Sequence, residues 1–357
     1  MMQRIFKVIV CLLLIVHNAF SQGKVIHQKF TAASLLTNKA GENPQRDLSI
    51  YLPPSYSASS NKTYPVIYFL HGYYGTDKEY VEWLQLQQLM DSAIEAKIIR
   101  PVIMVFPNSN TKYMGSFYSN SIMGNWADFI AKDVVNWVDK NYKTIPHPSS
   151  RGISGHSMGG NGCLKIAMQF SSTFSSVYAL SPAVLNWQSD FTLSNKAFQR
   201  VSSLQQKKNL INAADSIFAG NDLNAFYAGV ITAMAMAYSP NEKKEGIPVN
   251  LPVSYIADSA IYHTDVIQQW QMQFPFYMID SHLPQLKKLK AIKFDWGRNE
   301  EFTHIPFTAL QFSKKLESYG IKHYAEEYLG NHGNMIGGYN GRFFTEVLPF
   351  FNTNLAW

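Results

Sequence analysis

Uninterrupted apolar runs alternate with segments of helical spacing along most of the chain. Such runs are typical of strands buried on both faces of a parallel sheet; they are found at residues 65–70 and 101–106, and further core strands are predicted at 175–180 and 291–296. Alternating patterns predict further strands over 24–30 and 47–52, and an edge strand over 323–328. Helical spacing predicts helices over 81–97, 126–142, 161–170, 307–319 and 342–352. This order predicts an α/β protein with a mostly parallel, doubly wound central sheet and helices on both faces.

One long segment interrupts this rhythm. Residues 185–289 combine helical patterns with many aromatic side chains, and they fall between two predicted core strands. We interpret them as a helical cap inserted into a single catalytic domain of residues 22–357. Insertions after strand ends often lie over the functional site. The cap is therefore expected either to shape a substrate pocket or to pack on the body of the domain.

The first 21 residues have the pattern of a cleaved signal peptide. Arg4 and Lys7 precede an apolar run at 8–16 that is too short to cross a bilayer. Small residues at Ala19 and Ser21 predict cleavage before Gln22. The protein is thus expected to be secreted or periplasmic, with no membrane anchor left after cleavage.

The net charge bears on nucleic-acid binding, and the cysteine content bears on disulfide formation. The 357 residues include 31 Lys and Arg and 25 Asp and Glu, which gives a net charge of +6. Cleavage removes Arg4 and Lys7, so 29 basic and 25 acidic residues remain and the net charge falls to +4. This mild charge, without a basic run, argues against a nucleic-acid partner. Cleavage leaves Cys163 as the one cysteine, so no internal disulfide can form. Cys163 is expected to be a buried apolar residue.

The most informative motif is Gly-His-Ser-Met-Gly at residues 155–159. This spacing is that of a nucleophile elbow, in which a serine sits on a sharp turn between a strand and a helix. The flanking glycines are needed because side chains there would make the strand and helix collide. Ser157 is therefore the candidate nucleophile, and the neighbouring His156 is expected to pack in the elbow.

A serine nucleophile needs a base, and the base needs an acid to orient it. Among the downstream histidines, His332 lies in a glycine-rich loop after a late strand and is the candidate base. Three acids compete for the third role: Glu300 is favoured, Glu301 is second and Asp295 is third. Glutamates at these positions are also able to cap the following helix.

An oxyanion hole needs two N–H donors aimed at the developing charge. The amide of Met158, directly after the nucleophile, is expected to supply one. The loop after the 65–70 strand, which begins His-Gly-Tyr at residues 71–73, is expected to supply the other from Tyr73.

The chain at this point resembles the esterase D group of the α/β-hydrolase superfamily. The group includes feruloyl and acetyl-xylan esterases, S-formylglutathione hydrolase, siderophore esterases and mycolyl transferases. The matching segments are residues 51–56, 64–72, 124–130, 152–160 and 330–333. Two departures stand out: Gly297 is followed three residues later by Glu300 where the group usually has Asp, and the cap is longer than usual.

The resemblance implies a serine carboxylesterase that works through an acyl-enzyme, without metal or cofactor. With 14% aromatic residues, an acyl or aryl ester on a carbohydrate is the favoured substrate. Tyr74 and Trp126 are candidate substrate contacts, although anchoring of the next helix is slightly favoured for Trp126. Acyl transfer to a sugar or lipid, siderophore ester hydrolysis and non-catalytic glycan binding remain open, as does the oligomeric state.

Export of the protein has a direct test at its amino terminus. Because a signal peptidase reads the small residues at Ala19 and Ser21, the exported protein is expected to begin at Gln22. Amino-terminal sequencing of protein from the periplasm or medium checks this. Recovery of protein that still carries Met1 would contradict it.

Overall fold

Eight strands form one central sheet in the part of the chain that the computed structural model describes, residues 22–207 and 212–357. The signal-peptide prediction falls on residues outside this part. In chain order the strands are β1 (Lys24–Thr31), β2 (Gln45–Leu52), β3 (Val66–Leu70), β4 (Ile103–Pro107), β5 (Arg151–His156), β6 (Ser176–Leu180), β7 (Ala291–Gly297) and β8 (Tyr324–Tyr328).

The order across the sheet is β1-β2-β4-β3-β5-β6-β7-β8. Strand β2 runs antiparallel to both β1 and β4, and all other neighbours are parallel. The predicted mostly parallel α/β sheet is therefore confirmed. Its functional consequence is that the carboxyl ends of β3, β5, β6, β7 and β8 meet at one edge, where loops can bring side chains together.

Both faces of the sheet are covered, as the apolar runs predict. On β3, Val66, Tyr68 and Leu70 pack into one hydrophobic cluster, whereas Ile67 and Phe69 pack into a second one. Successive side chains of a strand point to opposite faces, so a strand buried on both sides is apolar at nearly every position. The helix Met158–Gln169 packs on the first face, and the helices Leu86–Glu95 and Leu348–Asn354 pack on the second.

The helices follow the predicted pattern with local differences. The predicted helix at 81–97 is two helices, because Gln85 adopts the left-handed conformation with φ of 47° and breaks the hydrogen-bonded ladder. The helix at 126–142 contains a π-helical stretch. The bounds are Asp77–Trp83, Leu86–Glu95, Trp126–Asp128, Phe129–Val134 (π), Val135–Asn141, Met158–Gln169, His304–Ser318, Phe343–Val347 (π) and Leu348–Asn354, with 3-10 turns at Ala33–Leu35 and Pro148–Ser150.

Residues 185–289, which we call the insertion, connect β6 to β7. The described part of the insertion carries the helices Ala197–Gln205, Ala213–Phe218, Leu223–Tyr238, Thr264–Gln271, Pro275–Ser281 and Leu283–Leu286, and a hairpin of Val253–Ile256 and Ser259–Tyr262. None of the helices in the described ranges combines the length and apolar character needed to cross a bilayer.

One glycine brings the insertion close to the loop after β3. A Cβ built on Gly229, in the helix Leu223–Tyr238, would lie 2.6 Å from the hydroxyl oxygen of Tyr73. Such a distance is far inside van der Waals contact, so a side chain at Gly229 would force the Tyr73 side chain to shift. The helix of the insertion therefore lies directly against the loop that carries Tyr73.

Candidate active site

Ser157 occupies a strained turn at the carboxyl end of the central strand β5. It lies between His156, the last residue of β5, and Met158, the first residue of the following helix, with φ of 58° and ψ of −117°. A non-glycine residue in this region of backbone space carries strain of about 1–3 kcal/mol, which the surroundings must impose. Its amide N–H donates to the carbonyl of Leu180 at the end of β6, over 2.9 Å.

The glycines of the motif explain how the turn is possible. A Cβ on Gly159 would overlap the carbonyl oxygen of Leu70 in β3, and one on Gly155 would overlap the carbonyl of Gly159. The helix backbone can approach the sheet this closely only without side chains at these two positions. The amino terminus of the helix, with its free N–H groups, is thereby held beside Ser157.

His332 and Glu300 come from adjacent loops. Glu300 follows β7 and His332 follows β8, and the parallel pairing of these strands puts both loops at the same edge. The Nδ1 atom of His332 lies 2.8 Å from Oε2 of Glu300, whose side chain is fully buried. A carboxylate accepts hydrogen bonds, so Nδ1–H is the donor and Nε2 of a neutral ring is left as the acceptor. This is the tautomer that a general base requires.

Contacts through His156 hold His332 beside the elbow. The Nε2–H of His156 donates to the backbone carbonyl of His332 over 2.7 Å, and the centroids of the two rings are 4.7 Å apart. The hydroxyl of Tyr80 lies 2.9 Å from Nδ1 of His156. Burial, together with the nearby His332, lowers the pKa of His156 to about 3, so this ring is neutral. His156 therefore packs in the elbow, while the ring of His332 contacts the carboxylate of Glu300.

The Ser157 hydroxyl makes no hydrogen bond to His332 within the described residues. Hydrogen bonds of this kind are often long before substrate binds and tighten in the reacting complex. The loop after β3 also lies close to Ser157: a Cβ on Gly72 would lie 3.3 Å from the Cβ of Ser157.

The two candidate oxyanion donors flank Ser157. Tyr73 follows Gly72 in the loop, and Met158 begins the helix. In the described structure, neither of their amide N–H groups donates a hydrogen bond to another residue. Both are therefore available to an oxyanion, and one such donor contributes about 3 kcal/mol to stabilising a transition state.

The other two acids occupy different positions. Glu301 accepts the backbone N–H of His332 through Oε2 at 3.2 Å, without reaching the ring. Asp295 is fully buried within β7, where its Oδ2 accepts from the Tyr178 hydroxyl at 2.6 Å and from Nε of Arg342 at 2.8 Å. The structure therefore brings Glu300 to the His332 ring, but not Asp295 or Glu301.

An aromatic cavity opens in front of Ser157. Its cavity volume is about 30 Å³, within a space of about 340 Å³ that includes open solvent. Its lining comes from the loop after β3, the elbow, the insertion and the segment after β7. The lining residues are Tyr73, Phe117, Ser157, Met158, Ala183, Val184, Phe226, Tyr227, Val230, Phe302 and His304. The insertion thus contributes side chains to the same space as Ser157.

The two candidate substrate contacts lie in different places. Trp126 is buried and does not line this cavity; its ring packs edge-on against Phe129 at 5.7 Å, with the Arg46 guanidinium 4.9 Å above it. This placement fits the role of a helix anchor. Tyr74 does not line the cavity either; it is 41% exposed and stacks on the lining residue Phe226 with ring centroids 6.0 Å apart.

The sequence offered the aromatic residues of the insertion as part of a possible pocket, but it did not indicate which of them meet the segment after Glu300. Phe226 lies in the insertion, and Phe302 and His304 follow Glu300 by a few residues. No spacing rule links Phe226 to Phe302, because they meet only through packing, with ring centroids 5.3 Å apart. Proximity to Glu300 was the one available signal for His304.

The sheet order and the elbow define an α/β-hydrolase fold. A family model described as "Putative esterase" matches residues 41–348, and the chain belongs to this family. An esterase of Mycobacterium tuberculosis is 32% identical over 157 residues, which are 42% of this chain and 31% of that protein. The chain therefore matches about a third of the length of this relative.

Superposition of solved structures on this chain supports the same fold. A ferulic acid esterase superposes with a TM-score of 0.62 at 18% identity, covering 94% of this chain and 99% of its own. S-formylglutathione hydrolase from Agrobacterium tumefaciens superposes with a TM-score of 0.56 at 14% identity, covering 95% and 97%. Similarity at these identities shows a shared fold.

The buried pair of Asp295 and Arg342 predicts a stability effect. Replacement Arg342→Met leaves the Asp295 carboxylate without its cation and is expected to lower the free energy of unfolding by about 3–5 kcal/mol. The matched control is Arg298→Met, because the Arg298 pair with Glu327 is exposed to solvent; its loss is expected to cost at most about 0.5 kcal/mol. Urea unfolding measures both.

The same pair predicts how this loss depends on pH. Burial raises the pKa of Asp295 to about 6, against the opposing effect of Arg342, so removing Arg342 raises the pKa further. When a carboxyl group has a raised pKa in the folded state, the protein loses folding stability as the pH rises through that pKa. The cost of Arg342→Met is therefore expected to be larger at pH 8 than at pH 5. Equal costs at both pH values would contradict this account.

Proposed function

We propose that this protein is an exported serine esterase that hydrolyses an acyl or aryl ester, on a carbohydrate, through an acyl-enzyme. In this mechanism Ser157 attacks the ester carbonyl while His332 takes its proton, and Glu300 stabilises the imidazolium that forms. The amides of Tyr73 and Met158 bind the oxyanion. His332 returns the proton to the leaving alcohol, and water then releases the acyl group by the same route.

The observation that carries the proposal is the 2.8 Å contact between Nδ1 of His332 and the buried carboxylate of Glu300. A carboxylate in this position orients the ring and favours the tautomer whose Nε2 can accept a proton. The strained serine on the elbow and the two unpaired amides beside it supply the remaining parts of an acyl-transfer site.

The substrate class is supported by the cavity and by the similarity to known proteins. Phe117, Phe226 and Phe302 line the cavity and favour an aromatic or apolar acyl group. The family match and the fold shared with a ferulic acid esterase agree with an ester substrate. The proposed export rests on the pattern of the first 21 residues.

Removing the nucleophile tests the mechanism. Ser157→Ala is expected to lower the turnover of p-nitrophenyl acetate roughly 1,000-fold or more, and to abolish labelling by a fluorophosphonate probe. Cys163→Ala is the control: the thiol is buried on the next helix and its pKa is raised by burial, so activity and labelling are expected to persist. Undiminished turnover by Ser157→Ala would exclude a mechanism in which Ser157 is the nucleophile.

The acid is tested by a pair of neighbouring substitutions. Glu300→Gln removes the charge that holds Nδ1 of His332 and is expected to lower kcat roughly 1,000-fold. Glu301→Gln touches only the backbone N–H of His332 and is expected to change kcat by less than about tenfold. Initial rates on the same ester measure both. Equal, small effects of the two changes would exclude Glu300 as the orienting acid.

A further inference from the structure

One exposed tryptophan lies beside the loop that carries His332. All seven tryptophans are in the described ranges, and among them only Trp83 is exposed, with an exposed fraction of 41%. It is the last residue of the helix Asp77–Trp83. Its ring packs edge-on against Tyr80, with centroids 5.3 Å apart, and against His156, with centroids 5.5 Å apart. The indole is therefore held in place by ring contacts while a large part of it stays open to solvent.

The contact with Tyr80 connects Trp83 to Ser157. A Cβ built on Gly72 would lie 2.5 Å from the hydroxyl oxygen of Tyr80 and 3.3 Å from the Cβ of Ser157. The tyrosine hydroxyl and the serine thus flank the same backbone position. Because the Trp83 ring packs on Tyr80, the indole is separated from the turn of Ser157 by a single side chain.

A contact across the next loop connects Trp83 to His332. Gly333 follows His332 directly in the chain. Among the described residues, and apart from the two chain neighbours of Gly333, only Cζ2 of Trp83 comes within 4 Å of a Cβ built there, at 3.8 Å. The missing side chain of Gly333 therefore leaves open space between the loop of His332 and the indole.

The proposed mechanism determines which part of the substrate reaches this space. His332 returns a proton to the leaving alcohol, so the alcohol oxygen must come within hydrogen-bond reach of its Nε2 atom. The aromatic cavity in front of Ser157 has neither Trp83 nor Gly333 in its lining. With the acyl group in that cavity, the alcohol part of the ester extends over the loop of His332 and Gly333, toward Trp83.

We propose that Trp83 is a specificity residue that binds a sugar ring in the alcohol part of the substrate. The C–H groups on one face of a sugar ring carry partial positive charge, and they pack well on the negative face of an aromatic ring. The indole N–H of Trp83 donates to no residue of the described chain, so it is available to a sugar hydroxyl. This inference rests on the proposed esterase function and adds the residue that recognises the carbohydrate.

The test compares acetate esters that differ only in the alcohol. The sugar esters are methyl glucopyranoside, methyl galactopyranoside and methyl arabinofuranoside, each acetylated on its primary hydroxyl, and the reference is 2-methoxyethyl acetate. In all four alcohols an ether oxygen is attached to the carbon next to the one that bears the ester, so the leaving groups have similar acidity. Only the sugars present a ring to the indole.

The wild-type protein is expected to prefer at least one sugar ester over the reference. A roughly tenfold difference in kcat/KM is expected, which is the factor that about 1.4 kcal/mol of added binding gives. Initial rates at several substrate concentrations measure it. Equal kcat/KM values for the reference and all three sugar esters would overturn the proposal.

Three variants separate recognition from structure. Trp83→Ala removes the ring, so the ratio of kcat/KM for the preferred sugar ester to that for the reference is expected to fall to about one. Trp83→Phe keeps a flat ring and is expected to restore part of this ratio. Tyr262→Ala removes a side chain that is 55% exposed in the hairpin of the insertion, and it is expected to leave the ratio at its wild-type value. An unchanged ratio in Trp83→Ala would overturn the proposal.

The ratio also tests a merely structural role, in which Trp83 supports His156 and, through it, His332. Loss of such support would slow both esters by the same factor, because both depend on the same base, and the ratio would not change. Octyl acetate tests an apolar alcohol in the same place. A larger loss of kcat/KM for octyl acetate than for the sugar esters in Trp83→Ala would overturn the assignment to a sugar.

Binding measurements keep the two proposals apart. Ser157→Ala is titrated with the three methyl glycosides and with 2-methoxyethanol, and NMR follows the indole N–H signal of Trp83, which is identified by its loss on Trp83→Phe substitution. A saturable shift with a glycoside, but not with 2-methoxyethanol, supports the role of Trp83 even if no ester is hydrolysed. Serine-dependent hydrolysis without this shift, and with a ratio of about one, would overturn only the role of Trp83.

Discussion

The site depends on one close approach between backbones, that of the helix Met158–Gln169 to strand β3. At Gly159 there is no room for even a Cβ beside the carbonyl of Leu70, and Gly155 is equally confined. This approach forces Ser157 into its positive-φ turn and directs the first amides of the helix toward the serine. The strained turn at Ser157 and the free amides beside it therefore have the same structural cause.

The parallel pairing of β7 and β8 brings the other two candidate residues of the site together. Because β7 and β8 are neighbours, the loops that follow them carry Glu300 and His332 to one edge, although 32 positions separate the two residues. The backbone carbonyl of His332 then binds His156, next to Ser157. Asp295, only five residues before Glu300, is committed to Arg342 inside the sheet and stabilises the body of the domain.

The insertion contributes part of the wall around Ser157. Its helix Leu223–Tyr238 approaches Tyr73 through Gly229 and contributes Phe226 and Tyr227 to the cavity. A chain of ring contacts runs from His332 through Phe302 and Phe226 to the exposed ring of Tyr74. Asp190 and His304 provide a polar group within this aromatic wall. In the proposed esterase, the loops of the main fold supply the chemistry, and the insertion supplies part of the cavity wall.

The sequence by itself determined the α/β fold, most of its strands and the elbow, because apolar runs and glycine spacing are local signals. It ranked Glu300 above Glu301 and Asp295 but could not separate them by distance, since side-chain direction depends on how β7 ends. Only the tertiary structure joined Asp190 to His304. Contacts between residues more than 100 positions apart arise from packing, and no local pattern encodes them.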